Sequence, residues 1–472
     1  MKINRIEFLI NILCLIVIFI IGCSGGGDDS SDTESPDKIK ILKSEKNRIA
    51  YPYVSESESE TLTAGNTEFA VKLYHALSEK NNGNIFFSPY SISLAFAMIY
   101  AGAENETEMQ IAESLCFNLS QDRLHPVFNN LDQEIASRGE KEDENIFILN
   151  IVNAMWGQKD YYFLPSYLDI LAENYGAELK LVDFYNDPEV SRIAVNEWVS
   201  ENTGYKIKDI LSKGAVSSSV KFILTNAIYF KALWKYQFDK KETHDDLFYP
   251  VNDAGSSQKR IVGSSLRLEP TTVPMMTQKG FFNYTEGDGY QAVELPYYIT
   301  ALSEISISAE EECQSQDEEL SMVIILPEAE KFTEFEEELS ADKFRVISEN
   351  LKNETSSCKI KVELTMPKFS YESGSISLRE ILTNIGMPVA FTSDADLSGM
   401  DGTYNLSIGD AVHKAFISVD ENGTEAGSVT VIVSPVSSPD EPVIMNINRP
   451  FIFFIRDIET ETVLFLGRVM NP

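Results

Sequence analysis

Histidine, paired cysteine and the short motifs of enzymes are what this sequence has least of. Its 472 residues hold four histidines, His75, His125, His244 and His413, too few for a His-rich metal centre. His244 beside Asp245 and Asp246 reads as loop polarity and not as a ligand set. Of five cysteines, Cys14 and Cys23 fall in an N-terminal leader. Cys116, Cys313 and Cys358 remain, an odd number with no C-x-x-C pair, so there is no disulfide framework and no zinc spacing. Gly-x-Ser-x-Gly occurs only at residues 22–26, across the end of the leader, and His-Glu-x-x-His and a phosphate loop are missing. A surface hydrolase therefore has no motif to stand on, no cofactor is called for, and the chain is not read as an enzyme. Positive charge is also short: 39 Lys and Arg against 73 Asp and Glu give −34, which argues against nucleic acid as a partner.

What is present is apolar and abundant. Hydrophobic residues make up 43% and aromatics 11%, ample for a large core. Length alone suggests two or three domains. Lys2 and Arg5 precede an apolar run over residues 8–21, broken only by Asn11. A bilayer span needs about 20 apolar residues, so the run reads as a signal peptide. It ends in Ile-Ile-Gly-Cys23, which resembles a prokaryotic lipoprotein signal and implies cleavage before Cys23 with lipid on its thiol. The expectation is a signal over 1–22, a flexible acidic Gly/Ser-rich tether over 23–64, and a folded domain over 65–472. That domain would sit on the outer side of a cell membrane, or in the extracellular space if released.

Along the body, Phe69, Ala70, Leu73, Tyr74 and Leu77 recur at helical spacing and predict a helix over 67–79. A short buried strand follows at 84–87. Ser88-Pro89 reads as the cap and first residue of an apolar helix running to Ala101. Further helical sequence lies at 106–115, 163–175 and 190–201. Strands are expected at 222–230, 322–326, 359–367, 451–456 and 463–469. Residues 251–272 and 299–319 are polar and read as surface loops. Helices and strands without a βαβ rhythm indicate an α+β fold with a mostly antiparallel sheet.

One stretch stands apart. From Glu421 the chain reads Glu-Asn-Gly-Thr-Glu-Ala-Gly-Ser, then Val-Thr-Val-Ile-Val-Ser-Pro-Val-Ser-Ser-Pro. Its alternate residues Thr424, Ala426, Ser428, Thr430, Ile432 and Ser434 form an uncharged and mostly small face, with Glu425 on the other. It is a strand sequence joined to a loop sequence.

Seven ordered segments carry a family resemblance. Asn84-Ile-Phe-Phe-Ser-Pro-Tyr-Ser-Ile-Ser-Leu-Ala-Phe-Ala-Met and Thr225-Asn-Ala-Ile-Tyr-Phe-Lys-Ala-Leu-Trp are similar to serpin motifs. Val273-Pro-Met-Met, Leu364-Thr-Met-Pro-Lys-Phe and Ala395-Asp-Leu-Ser-Gly-Met follow in the family's order, and Asn448-Arg-Pro-Phe with Phe465-Leu-Gly-Arg-Val resembles its C-terminal strands. The resemblance covers about 65–472. It implies a single domain with three β-sheets, surrounding helices and an exposed reactive loop between 421 and about 445, which overrides the length prior. It also implies inhibition of extracellular serine proteases. A target protease cuts the loop and forms an acyl-enzyme, and the cut arm enters the central sheet and traps the enzyme.

On this reading Glu421, Gly423, Thr424, Glu425, Ala426, Gly427 and Ser428 form the hinge, with Gly423 supplying backbone freedom. Counting seventeen family positions from Glu421 puts the reactive bond at Ser437–Ser438; counting back from Pro450 moves it towards Pro439, and Val436 is the main competitor. Ser88, Ser91, Asn226 and His413 match a polar cluster beneath the sheet, and Trp234 matches a tryptophan where insertion starts. No Lys or Arg occurs between Ala415 and Asn448, and no aromatic after Phe416 in that span. Elastase-like or subtilisin-like proteases are thus the expected partners and trypsin-like ones are not; a papain-like cysteine protease, or a non-inhibitory substrate or carrier role, are the alternatives. The chain is expected to act as a monomer. Asn422-Gly-Thr is a glycosylation sequon whose modification would block insertion.

Overall fold

The apolar run that starts at Ser88 becomes the centre of the molecule. The helix Pro89–Tyr100 is buried on every side, as its lack of any polar stripe requires, and the Ser88 hydroxyl accepts the Ser91 N–H at 3.1 Å to cap it. The computed structural model describes residues 39–138, 147–250, 269–298, 319–353, 360–424 and 441–472.

In chain order the elements are β1 (Lys40–Leu42), α1 (Glu56–Ser78), β2 (Ile85–Phe87), α2 (Pro89–Tyr100), α3 (Asn105–Leu115), α4 (Gln121–Ser137) and β3 (Phe147–Gln158). Then come α5 (Pro165–Tyr175), β4 (Leu179–Val182), α6 (Pro188–Asn202), β5 (Phe222–Trp234), β6 (His244–Phe248), β7 (Thr271–Gly287), β8 (Tyr290–Tyr298) and β9 (Leu320–Pro327). Helices at Phe332–Glu337 and Ala341–Asn353 lead to β10 (Ile360–Pro367), β11 (Phe369–Glu372) and β12 (Ile376–Ser377). The last strands are β13 (Asp410–Val419), β14 (Gly423–Thr424), β15 (Val443–Asn446), β16 (Phe451–Asp457) and β17 (Val463–Val469).

They form an α+β fold of three sheets. The first runs β1–β4–β3–β5–β13, with β11 and β12 beyond β13. The second runs β7–β8–β9–β16–β17–β2, and the third β6–β7–β10–β15. Alternation along β5 divides the core. Phe222, Leu224, Ile228, Phe230 and Ala232 face the main core with α2, while Ile223 and Ala227 face a smaller layer with Val195 and Val199 of α6. The first sheet is therefore covered on both faces around β5.

One expectation needs correction. Residues 39–64 of the expected tether are packed on the body. β1 pairs antiparallel with β4; Arg48 donates to Asn129 and Asp132, each at 2.7 Å; the Ile49 N–H reaches the Glu173 carbonyl at 2.8 Å. Helix α1 starts at Glu56, not at 67, because Glu58 accepts from the Ser55 N–H at 2.9 Å and holds Arg123. These polar partners leave no apolar period, so the segment reads as unstructured until α4 and α5 are in place.

Candidate functional site: the seam between two central strands

β5 and β13 lie side by side and parallel, from Asp410 opposite Ile223 to Phe416 opposite Tyr229. Beyond Phe416 the strands part, and β14 fills the gap. Gly423 pairs antiparallel with Leu233 and Thr424 with Ala232, while Thr424 also faces Val419 of β13. Two residues of the expected hinge are thus already a strand. Glu425, Ala426, Gly427 and Ser428, the reactive-bond residues Val436, Ser437 and Ser438, and the anchor Cys23 lie outside the described residues.

The residues before β14 act as an anchor. Glu421 is only 4% exposed. It accepts a hydrogen bond from Lys368 Nζ and one from Thr243 Oγ1, each at 2.8 Å. Burial works to raise its pKa, but these partners outweigh it and the carboxyl is held below its ordinary value. The Asn422 carbonyl accepts the Trp234 N–H at 2.8 Å, the Glu421 carbonyl accepts the Phe238 N–H at 2.9 Å, and the Asp420 carbonyl accepts Trp234 Nε1–H at 3.0 Å. Trp234 stacks on Tyr297 with ring centres 4.7 Å apart, and the Tyr297 hydroxyl bonds Thr424 Oγ1 at 2.8 Å.

Gly423 has a different role from the one its type suggests. Its φ is not positive, so backbone freedom is not what it supplies here. A Cβ would lie 2.1 Å from the Ala232 carbonyl oxygen and 2.7 Å from Leu233 Cα. Glycine is needed because the two backbones approach that closely.

Four of the five predicted cluster residues meet halfway down the seam. His413 and Asn226 are directly opposite each other on β13 and β5, and Asn153 of β3 is opposite Asn226. The Ser88 N–H donates to His413 Nε2 at 3.2 Å, so Nε2 is unprotonated and Nδ1–H donates to Asn226 Oδ1. Asn226 Nδ2 donates to the Ser91 carbonyl at 2.9 Å, to Ser91 Oγ at 2.5 Å, and to Asn153 Oδ1. Ser88 Oγ donates to the Leu464 carbonyl at 2.6 Å. Complete burial pushes the His413 pKa down to about 3, which fixes the neutral ring. The His413–Asn226 bond crosses the seam between β5 and β13. Trp234 is not part of this cluster. It lies eight residues further along β5, about 26 Å at 3.3 Å per residue, beside the hinge.

Asn153, Tyr297, Thr243 and Lys368 were not among the residues expected from the sequence. Asn153 alone left a trace, as a polar residue among Val152, Ala154 and Trp156 in a strand. Tyr297 stands on β8, Thr243 just before β6 and Lys368 between β10 and β11, all remote in sequence from the hinge. Among the described residues no cluster of His, Cys, Asp or Glu could hold a metal.

These features define the class of fold: a three-sheet α+β body whose central seam is bridged by a buried histidine, with β14 seated at the seam's mouth. The family model described as "Serpin (serine protease inhibitor)" matches residues 64–472, and the chain belongs to the serpin family. An uncharacterized serpin-like protein of Thermococcus kodakarensis is 36% identical over 470 residues, 98% of each chain. Leukocyte elastase inhibitor A of Rattus norvegicus is 37% identical, covering 88% of this chain and all of its own. Among solved structures, the native-state thermophilic serpin tengpin superposes with a TM-score of 0.71 at 28% identity, covering 91% of this chain and 98% of its own. Uncleaved ovalbumin gives 0.68 at 25%, covering 87% and 100%.

Proposed function

We propose that this chain inhibits serine proteases by offering the loop after Thr424 as a substrate and then taking the cut arm into the seam between β5 and β13. The observation that carries this reading is β14: the arm's first two residues are already paired with β5 where β5 and β13 part beyond Phe416. Continuing that strand would replace one parallel seam by two antiparallel ones, since β14 runs antiparallel to both neighbours. Antiparallel pairing is the more stable per residue, so the exchange releases free energy once cleavage frees the arm.

Acylation of the protease nucleophile at Ser437, with Ser438 departing, would tether the enzyme to the moving arm before water completes hydrolysis. Val436 is the competing acyl residue. The absence of Lys and Arg from 415 to 448 supports elastase-like or subtilisin-like targets, and the names of the leukocyte elastase inhibitors among the relatives support the same class. The leader ending at Cys23 supports an inhibitor held by lipid on the outer side of a membrane, where it would meet secreted proteases.

The test is to incubate residues 39–472 with subtilisin and with an elastase, and to resolve the products under denaturing conditions. A covalent band of summed mass is expected, together with a released C-terminal peptide beginning at residue 437, 438 or 439 by mass spectrometry. Loop cleavage with no such band and no gain in thermal stability would remove the inhibitor reading and leave a substrate or carrier role. A covalent band with papain would extend the targets to cysteine proteases.

A further inference from the structure

An asparagine followed by glycine is prone to lose its side-chain amide by cyclisation, because glycine has no Cβ to shield the attacking nitrogen. Two such links occur in the chain, Asn82-Gly83 and Asn422-Gly423. They differ in what holds the glycine N–H. In an exposed turn, Gly83 donates to the amide oxygen of Asn81 at 2.8 Å. Gly423 donates instead to a carboxylate, Asp420 Oδ1, at 3.3 Å.

The same carboxylate holds the group that has to leave. Asn422 Nδ2 donates to Asp420 Oδ1 at 3.3 Å and to Oδ2 at 3.4 Å. The turn is fixed by the Asn422 N–H on Asp420 Oδ1 at 2.8 Å and by the Asp420 N–H on the Gly423 carbonyl at 2.9 Å. One base therefore touches both nitrogens that cyclisation exchanges. Asn422 is half-buried, which leaves water a way in.

We propose that Asn422-Gly423 is a deamidation site with Asp420 as its base, and that conversion releases the hinge from the sheet. Asp420 takes the proton of the Gly423 N–H, and the electron pair left on nitrogen forms a bond to Asn422 Cγ. The Cγ–Nδ2 bond then breaks, and Nδ2 leaves as ammonia carrying that proton. Water opens the resulting five-membered imide. Attack at Cγ leaves an aspartate at position 422; attack at the main-chain carbonyl leaves an isoaspartate, whose backbone is one methylene longer. Water is the only co-reactant.

Neither product fits the docked hinge. An aspartate at 422 sets a second carboxylate against Asp420 where an amide donor stood, and like charges in contact repel. An isoaspartate shifts Gly423 along its strand, at a point where even a Cβ would lie 2.1 Å from the Ala232 oxygen. In both cases the Asn422 carbonyl leaves its place at 2.8 Å from the Trp234 nitrogen. The hinge carries a one-way timer that runs without any protease, so it stands apart from the inhibitor reading.

The test is to age the full unglycosylated chain at neutral pH, native and in urea, and to follow both links by peptide mass spectrometry and isoaspartate methyltransferase labelling. In the native chain Asn422 should convert about a hundredfold faster than Asn82, the lower end of what a positioned base supplies. In urea the two should convert at similar rates. Asp420→Asn keeps an oxygen acceptor but no base, and should bring Asn422 down to the rate of Asn82. Hydrogen exchange at the Trp234 amide should rise in step with conversion. A native Asn422 that converts no faster than Asn82, or more slowly than in urea, would overturn the site without recourse to any variant. An unchanged rate in Asp420→Asn would remove the base, and conversion with the Trp234 amide still protected would remove the release of the hinge. None of these readouts involves a protease, so loss of the inhibitor reading leaves them untouched.

Discussion

Replacing Gly423 by alanine should expel the hinge from the sheet. The added methyl would sit 2.1 Å from the Ala232 oxygen and 2.7 Å from Leu233 Cα, where carbon and oxygen ordinarily approach no closer than about 3.3 Å. Both obstacles are main-chain atoms of β5, which is hydrogen-bonded to β3 along 11 paired positions and cannot retreat. The arm must yield instead. Three hydrogen bonds go with it: Trp234 N–H to the Asn422 carbonyl, Asp420 N–H to the Gly423 carbonyl, and Thr424 to Tyr297. At about 1 kcal/mol net each, the docked hinge loses about 3 kcal/mol, on the order of a hundredfold in population. Hydrogen exchange at the Trp234 amide should rise accordingly, and the fluorescence of Trp234, stacked on Tyr297, should shift. After cleavage the same clash recurs, so the variant should also gain less thermal stability than wild type. Unchanged protection of the Trp234 amide in the folded variant would refute the reasoning, because β5 would then have given way where the sheet is held to be incompressible.

Three further outcomes are expected. His413 has a folded-state pKa of about 3 against 6.5 when free; the unfolded chain therefore binds the proton first, so stability is flat above pH 6.5 and falls between 6.5 and 3, by up to about 5 kcal/mol. A His413→Asn variant should lose about one proton's worth of that slope in urea titrations at several pH values, while being weaker than wild type at pH 8. Lys368→Ala leaves the Glu421 carboxylate buried without its cation and should cost about 1–3 kcal/mol in urea denaturation, with Lys368→Arg largely restoring it. Arg456→Leu breaks a fully buried pair with Glu294, whose carboxylate also accepts from Ser321 at 2.6 Å, and should cost about 3–5 kcal/mol, read as a lowered Tm.

Much of the site could be read from the chain alone because its residues announce themselves by type. Ser88-Pro89 is a helix start wherever it folds, and His413 is conspicuous among Ala411, Ala415, Ile417 and Val419. Their meeting was given by family order, and the register of β5 and β13 supplied the reason. The missed residues have a common cause. Tyr297, Thr243 and Lys368 contact the hinge from 53 to 178 positions away, and no local pattern encodes a partner at that distance. Residues 39–64 were misread for the same reason: their partners Asp132, Asn129, Glu173 and Arg123 are polar and remote, so the segment shows no apolar period.

By itself, the sequence determined the class of the fold, the uncharged alternate positions from Thr424 to Ser434 and the absence of Lys and Arg from 415 to 448, since each is a matter of residue type and spacing. Only the tertiary structure decided that Gly423 is demanded by a close approach of two backbones, that Glu421 is an anchor and not a mobile hinge, and that Trp234 belongs to the mouth of the seam and His413 to its middle. These depend on distances between strands that the chain brings together from far apart, and a linear pattern carries no such distances.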